Sequence, residues 1–402
     1  MKKIFSTCVL GLSLSVCYSQ SYKPIRLSPE EFVIMPWGET PTDSTTLNEI
    51  YDCGFNLAGF VGTGDLKRIS HAGLKAIVYD NSIQVGDAES KLSEAEISKR
   101  VNGIVEKTAN DNSVFGYYLR DEPGSAIFPG LKRWKDAWTR ATPQKMAYIN
   151  LFPVYASNEE QLQAKDYEDY LEKYVSTVKP TFISYDNYSL MKGDSLRQGY
   201  FENLGAVRNI ALKNNIPFWN IVLSNSHFEY AEPSYPGLCF QLYTTLAYGG
   251  KGISYFTYFA PRSGNYRFAP IDQFGHKTPT WFILQNVNLQ MHAIGKAYTK
   301  LKSVNVFHSP AMTECKDGIE SSHFLSSLTG DNLLVGEFED INETPYIIVV
   351  NKSLVKSQYV DLSFKDQGTI YQINNYTGDS EPWSGEDKWI APGQGRILFV
   401  KK

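Results

Sequence analysis

Three ionisable side chains stand together at the end of an apolar stretch of the chain. Residues 113–119 have the composition of a buried strand, and Arg120, Asp121 and Glu122 follow them directly. Charges in such a place are costly to bury unless they are paired or used in function. Pro123 stiffens the turn that follows and thereby fixes where the Glu122 carboxyl points. We interpret Glu122 as a catalytic carboxylate, with a surface cluster of ion pairs in a strand-to-helix loop as the alternative.

Polar and aromatic side chains also end the other apolar stretches. They are Trp37, Glu39, Asp80, Asn81, Asn150, Asp186, Asn187, Tyr188, the segment 224–229 with His227 and Glu229, and Tyr258. Carboxylates and amides bind hydroxyl groups, aromatic rings stack on sugar rings, and two carboxyl groups together hydrolyse glycosidic bonds. This set therefore predicts a carbohydrate substrate. It includes no Ser or Cys paired with a His and no cluster with metal-ligand spacing, so we expect no metal and no cofactor.

These side chains share one site only if the fold brings the strand ends together. Eight apolar stretches alternate with eight helical patterns, which predicts an α/β protein with a parallel (β/α)8 TIM barrel. The predicted strands are residues 32–38, 56–62, 74–80, the stretch ending at Glu122, 146–152, 181–188, 217–223 and 251–258, and the predicted helices are 43–53, 64–72, 89–109, 130–140, 158–178, 195–214, 234–248 and 278–300. The carboxyl ends of barrel strands form one mouth, where catalytic groups lie. A doubly wound open sheet is the alternative, but no glycine-rich phosphate loop follows the first strand.

After residue 303 the pattern changes to short alternating stretches separated by turn residues. They cover residues 333–338, 346–350, 359–364, 369–376 and 395–400. We therefore predict a barrel over residues 20–302 and a C-terminal antiparallel β-module, similar to a β-sandwich, over 303–402. His308 and Cys315 have no evident partners in this module, so we expect it to pack on the barrel without carrying chemistry.

The N-terminus has the features of a secretory signal. Met1-Lys2-Lys3 is followed by an apolar segment over residues 4–16, and we predict a signal peptide over residues 1–19 with cleavage before Gln20. Lipid modification of Cys17 is the alternative, although Val16 is a poor residue before a modified cysteine. The segment is too short for a membrane span. We expect export to the periplasm or the cell surface.

Composition excludes several other classes of function. Cys53, Cys239 and Cys315 remain after removal of the signal, without a CxxC motif, so no disulfide framework is expected. The net charge is −4 and no block of Lys and Arg occurs, which speaks against binding of nucleic acid or an anionic membrane. An ester or phosphate hydrolase would need a nucleophile elbow or metal ligands, which the chain lacks. Neither composition nor motifs indicate the oligomeric state.

Three motifs carry a resemblance to a known group of enzymes. They are Tyr-Leu-Arg-Asp-Glu-Pro at residues 118–123, Ile-Ser-Tyr-Asp-Asn-Tyr at 183–188, and Leu-Ala-Tyr-Gly-Gly-Lys-Gly-Ile-Ser-Tyr-Phe-Thr-Tyr at 246–258. With these motifs the chain resembles clan A glycoside hydrolases, especially the β-galactosidase-like families and secreted barrels of Bacteroidetes. The resemblance implies hydrolysis of O-glycosidic bonds in an oligo- or polysaccharide, with Glu122 as general acid/base.

The chain departs from this group at two positions. Asp121 stands where the clan usually has Asn, and no carboxylate ends the seventh strand, where the clan has its nucleophile. Asp186 and Glu229 are the candidates for the second carboxylate. The alternative for Asp186 is a residue that orients Glu122 or binds a hydroxyl group, and for Glu229 a solvated loop charge. If the nucleophile has been lost, the chain is instead a non-catalytic carbohydrate-binding barrel.

The clan's geometry favours a retaining mechanism. A carboxylate from Asp186, two strands away from Glu122, would increase the distance between the two carboxyl groups and so favour inversion.

The remaining residues are expected to bind substrate. Trp37 and Tyr258 would stack on sugar rings or cover the core, and Glu39 and Asp80 would bind hydroxyl groups or cap helices. The other expected contacts are made by Arg120 and Asp121, which would also tune the pKa of Glu122, and by Asn150, Tyr188 and His227.

Overall fold

The computed structural model describes residues 26–108, 111–193 and 195–401, so the predicted signal peptide lies outside the described residues. Eight parallel strands form one sheet. They are β1 (Val33–Pro36), β2 (Leu57–Val61), β3 (Lys75–Val78), β4 (Val114–Asp121), β5 (Met146–Leu151), β6 (Ile183–Asp186), β7 (Phe218–Leu223) and β8 (Gly252–Phe256). Strands β2 to β8 each pair with the next strand in chain order, and β8 pairs with β1. The segment that follows β1 contacts β2 through a 3.1 Å hydrogen bond from the Thr40 N–H to the Phe60 carbonyl, which nearly closes the barrel. The predicted (β/α)8 fold is confirmed.

Helices connect the strands on the outside of the barrel. They are α1 (Ser44–Asp52), α2 (Leu66–His71), α3 (Glu94–Thr108), α4 (Phe128–Ala141), α5 (Tyr167–Val178), α6 (Tyr200–Asn214), α7 (Tyr235–Ala247) and α8 (Pro279–Tyr298). Polar side chains begin several of them, as when Asp43 accepts a hydrogen bond from the Thr46 N–H at the start of α1.

Three predicted helices begin later than their sequence pattern suggests. In the helix predicted over 89–109, residues 89–91 form a separate short 3-10 helix and α3 begins at Glu94. The helix predicted over 158–178 is interrupted, because Asp166 caps a new start and α5 begins at Tyr167. The helix predicted over 195–214 begins at Tyr200, because residues 195–196 pair with 190–191 in a short hairpin. This hairpin follows β6 and forms part of the rim of the barrel mouth.

A second, antiparallel sheet follows the barrel, as predicted. It contains six strands, in the spatial order Lys302–Ser309, Leu333–Glu339, Pro345–Asn351, Gly395–Lys401, Thr369–Ile373 and Ser380–Pro382. Leu325–Thr329 pairs with Asp361–Phe364, and Gln358–Tyr359 pairs with Trp389–Ile390, in two small sheets. A separate apolar core with Phe307, Val335 and Trp383 lies within this module. The boundary after residue 302 stays a prediction.

Helix α7 joins the two parts of the molecule. Residues 237–247 are all buried, because the helix lies between the barrel strands and the second sheet. Its residues are accordingly uncharged and mostly apolar, which is typical of a buried helix, and its polar side chains Gln241, Thr244 and Thr245 are buried as well. Gly336 allows the sheet to approach closely, since a Cβ at this position would lie 2.1 Å from the Ala247 carbonyl oxygen. The module is therefore packed tightly against the barrel.

Candidate active site

Glu122 leaves the end of β4 in an unusual backbone conformation. Its φ angle is +45°, in the left-handed region that glutamate rarely adopts. Such a conformation costs about 1 kcal/mol or more and persists only where the surroundings enforce it. Here the Glu122 N–H donates a 2.9 Å hydrogen bond to the Asn150 carbonyl of β5, and Pro123 follows directly. The hydrogen bond to β5 holds the backbone of Glu122 at the carboxyl end of β4, and the orienting effect of Pro123 stays a prediction.

Glu122 and Asp186 form a pair of interacting carboxyl groups. Their side chains lie within hydrogen-bonding reach of each other, and Asp186, at the end of β6, is only 5% exposed. Burial, followed by the charge of Asp121, raises the pKa of Glu122 to about 7. Burial, followed by the charges of Glu122 and Asp121, raises the pKa of Asp186 well above its usual range. Two carboxyl groups this close share a proton, because two negative charges would repel each other.

Asn150 holds the carboxyl cluster in place. Its side-chain amide donates hydrogen bonds to Asp121 Oδ1 at 3.0 Å and to Asp186 Oδ1 at 2.9 Å. Its own side-chain oxygen accepts a 2.9 Å bond from Ser184 Oγ, which is also 2.8 Å from the Tyr148 hydroxyl. This buried network fixes the amide orientation, so that both N–H groups point at carboxylates. Asn150 is therefore buried and orients the carboxyl groups of Asp121 and Asp186.

Aromatic rings form one wall of the mouth beside this cluster. Trp37 packs edge-on against Tyr118, with ring centroids 5.9 Å apart, and against Phe60 at 4.8 Å. Tyr79 is half-exposed and lies 6.0 Å from Tyr118. Tyr118 and Asp121 both belong to β4, so this wall adjoins the carboxyl cluster, and burial, followed by the charge of Asp121, raises the pKa of Tyr118. Trp37 is thus partly buried at the mouth, where it was predicted.

A second aromatic wall stands on the opposite side. The Tyr188 ring stacks on Phe256, with centroids 5.5 Å apart, and the His227 ring stacks on Tyr266 at 4.7 Å. Tyr188 follows Asp186 by two residues, so this wall also adjoins the carboxyl cluster. Burial is the main cause that raises the pKa of Tyr188, and the charge of Asp186 is the second. His227 is buried, its Nδ1 lies 2.9 Å from Asn225 Oδ1, and burial lowers its pKa, so it is neutral at pH 7.

The second wall also contains residues that the sequence did not single out. The Arg197 guanidinium lies over the Tyr155 ring at 4.3 Å and donates a 2.9 Å hydrogen bond to the Tyr230 hydroxyl. The Tyr155 hydroxyl accepts a 3.5 Å hydrogen bond from the Tyr188 N–H, two residues after Asp186, so Tyr155 lies near the carboxyl pair. Burial, followed by the charge of Asp186, raises the pKa of Tyr155. Arg197 was hidden within a predicted helix. Tyr155 follows β5 by a few residues, and a position just after a barrel strand could have indicated that it lies at the mouth.

Two predicted site residues lie elsewhere. The Tyr258 ring is 1% exposed, and its hydroxyl accepts a 2.8 Å hydrogen bond from Trp281 Nε1 in the outer core, so the prediction of a stacking surface was wrong. Phe256 occupies that place instead. Glu229 lies on the surface, with its side chain 75% exposed and paired with Lys192 at 2.9 Å. Its alternative interpretation, a solvated loop charge, describes it better.

Three further predicted residues, Asp80, Glu39 and Arg120, lie around the carboxyl pair without belonging to it. Asp80 accepts hydrogen bonds from the Ser82 N–H and hydroxyl and caps a short helix. Glu39 is exposed at the rim. Arg120 is half-buried, and Asp121 is the exposed member of the acidic cluster. Desolvation raises the pKa of Asp121, and the Asn150 hydrogen bond and the Arg120 charge oppose this shift. Arg120 Nε has no hydrogen-bond partner among the described residues.

The site as a whole is an acidic cluster between two aromatic walls. A carboxyl pair that shares a proton can donate it to a leaving group and still supply one carboxylate. Within the described part of the chain, no group of three or more His, Cys, Asp or Glu side chains is arranged to hold a metal ion. A search of the same residues finds no helix that is long and apolar enough to cross a membrane.

Comparison with solved structures supports the fold. A glycoside hydrolase of family 5 from Bacteroides vulgatus ATCC 8482 is 12% identical, with a TM-score of 0.55, over 94% of this chain and 93% of that one. Another structure, described as a glycoside hydrolase, is 11% identical, with a TM-score of 0.53, over 92% of each chain. The β-galactosidase of the psychrophilic Marinomonas ef1 is 10% identical, with a TM-score of 0.50, over 67% of this chain.

The chain spans 62% of the length of the Marinomonas enzyme. Neither a protein-family model nor a curated protein sequence matches the chain. At identities this low, the likeness establishes the shared fold and leaves the activity to be argued from the site.

Proposed function

We propose that this protein is a glycoside hydrolase that cleaves O-glycosidic bonds of an oligo- or polysaccharide. The observation that carries the proposal is the Glu122–Asp186 carboxyl pair at the mouth of the barrel. Glycosidic bond cleavage needs one carboxyl group that is protonated at working pH and one that is ionised. A pair that shares a proton meets both needs near neutral pH.

Glu122 is assigned as the general acid/base. Its side chain is longer than that of Asp186 and less buried, so it can reach the oxygen that leaves with the outer sugar. The pKa of Glu122, about 7, and that of Asp186, well above its usual range, are both raised, so the pair holds a proton near neutral pH that the more exposed Glu122 can deliver. Asp186 lies deeper and is held by Asn150, which suits a carboxylate that approaches the anomeric carbon. Glu229 is no longer proposed for this role.

The short distance between the two carboxyl groups favours a retaining mechanism. Retaining enzymes place their carboxyl groups about 5–5.5 Å apart, and inverting enzymes about 6.5–9.5 Å apart to admit a water. A side-chain hydrogen bond joins Glu122 to Asp186, so this pair fits the shorter spacing better than the longer one. The sugar would then form a covalent intermediate with Asp186.

The aromatic walls match the substrate class. Tyr188, Phe256 and Trp37 offer ring faces or edges beside the carboxyl pair, where the C–H faces of sugar rings can pack. The predicted signal peptide would deliver such an enzyme to the periplasm or the cell surface, where extracellular polysaccharides are encountered. Export remains part of the proposal.

A non-catalytic carbohydrate-binding barrel is the second candidate. The observation that favours it is the end of β7, where Ser224, Asn225 and Ser226 are buried and no carboxylate stands. Incubation with a panel of oligosaccharides and aryl glycosides, followed by product chromatography and by calorimetry on the same ligands, separates the two. Hydrolysis of at least one glycoside supports the enzyme, whereas binding without any product supports the binding protein.

A further inference from the structure

A second cavity lies at the junction between the barrel and the C-terminal module. Its volume is about 330 Å³, and none of its lining residues belongs to the carboxyl cluster. The walls are largely apolar and come from the rim hairpin, from α6 and α7, and from the module: Leu190, Leu196, Phe201, Phe240, Leu354 and Val355. The size and the apolar lining are typical of a small-molecule site with few polar anchors.

Lys352 brings a positive charge to this cavity. Its ammonium group donates one hydrogen bond to His308 Nδ1 at 3.0 Å and another to the Met312 sulfur at 3.2 Å. A lysine ammonium has three N–H donors, and beyond these two bonds the Lys352 ammonium lies only over the Phe201 ring, 5.7 Å from its centroid. No described carboxylate forms an ion pair with Lys352; burial lowers its pKa to about 8, and Cys315 and Asp331 oppose this shift only in part.

His308 does not share or cancel this charge. Because lysine only donates, His308 Nδ1 must accept, so the ring proton is on Nε2, which faces the Tyr248 hydroxyl at 3.1 Å. Burial and the nearby Lys352 lower the pKa of His308 to about 3, which keeps the imidazole neutral. These contacts also correct the expectation that His308 and Cys315 lack partners, since Cys315 Sγ lies 3.7 Å from the Tyr248 hydroxyl.

A half-buried cation without a counter-charge favours an anion beside it. We propose that this cavity binds a small organic monocarboxylate with an apolar body. Its carboxylate accepts a hydrogen bond from Lys352 Nζ, and its hydrocarbon part packs against Phe201, Phe240 and Leu196. This site is separate from the proposed glycosidase site, and it holds whether or not the barrel hydrolyses glycosides.

Isothermal titration calorimetry with sodium hexanoate tests the proposal. We expect the wild-type protein to bind hexanoate. The affinity of Lys352→Met for hexanoate should be lower by about tenfold or more, because a charge-assisted hydrogen bond is lost. Neutral hexanamide should bind both proteins equally weakly. Lys356→Met is the matched control, since Lys356 is exposed on the same loop and does not line the cavity, and it should bind hexanoate like wild type. Equal hexanoate affinity of Lys352→Met and wild type, or no heat from wild type, would overturn the proposal.

A second measurement uses only the wild-type protein, so it tests the proposal even if Lys352→Met does not fold. The wild-type protein is treated briefly with acetic anhydride, with and without hexanoate, and acetylation of each lysine is read by peptide mass spectrometry. We expect hexanoate to protect Lys352 while leaving Lys356 unchanged. Equal acetylation of Lys352 under both conditions would contradict the site.

Discussion

Replacement of Glu122 by Gln should abolish activity and at the same time stabilise the protein at alkaline pH. The substitution keeps the shape of the side chain and removes the transferable proton, so turnover of an unactivated glycoside should fall by about 10²–10⁴-fold. The amide can still donate a hydrogen bond to Asp186. Loss of activity should therefore come without loss of the fold.

The effect on stability follows from the raised pKa of Glu122. The folded protein keeps a proton that the unfolded chain releases between pH 4.5 and about 7, so the free energy of unfolding falls as pH rises through this window. A rise of about 2.5 in pKa corresponds to at most about 3 kcal/mol, and access of solvent reduces this to about 1–2 kcal/mol. Glu122→Gln should remove this penalty, so it should be more stable than wild type at pH 8 and equal to it near pH 4.5.

Thermal unfolding at both pH values, followed by circular dichroism, measures the difference. Glu229→Gln is the matched control, because this carboxylate is exposed and paired with Lys192, and it should change neither turnover nor the pH dependence of Tm. The reasoning is refuted if Glu122→Gln keeps near wild-type turnover, or if its Tm differs from wild type by the same amount at pH 4.5 and pH 8.

Three further predictions test other parts of the structure. Asn150→Ala removes the hydrogen-bond donor that lowers the pKa values of Asp121 and Asp186, so the acidic limb of the pH profile of kcat/KM should move to higher pH. An acidic limb at the wild-type pH would contradict the positioning role of Asn150. Trp383→Ala should lower the free energy of unfolding by about 3–5 kcal/mol, because it empties the core of the module, with kcat unchanged in the folded protein. Proton NMR of the first product should show retained anomeric configuration, and inversion would show that Asp186 activates a water instead.

The barrel could be predicted from the sequence because its signals are local and repeated. Each strand is a short apolar stretch bounded by turn residues, and the eight repeats leave few other topologies. The same logic placed Glu122, Asp186 and Asn150 at one mouth, since parallel strands share their carboxyl ends. What the sequence did not contain was the contact between the two carboxyl groups, which depends on the φ angle of Glu122.

The errors arose where the chain leaves regular structure. Strand alternation places Phe256 and Tyr258 on the same side, but β8 ends at Phe256, and the following turn directs Tyr258 towards Trp281. Glu229 looked suitable because it follows β7 closely, yet its loop carries it to the surface, where Lys192 pairs with it. The partners of His308 lie 60 and 44 residues away, so no local pattern indicates them.

The central claim is that Glu122 and Asp186 act as one catalytic pair, and a double-mutant cycle tests it most directly. The measurement is kcat/KM of wild type, Glu122→Gln, Asp186→Asn and the double variant on the best glycoside from the panel. Residues that act as a unit are strongly non-additive, so we predict that the double variant is about as impaired as either single variant. Effects that multiply, or an Asp186→Asn variant with wild-type kcat/KM, would contradict the pair.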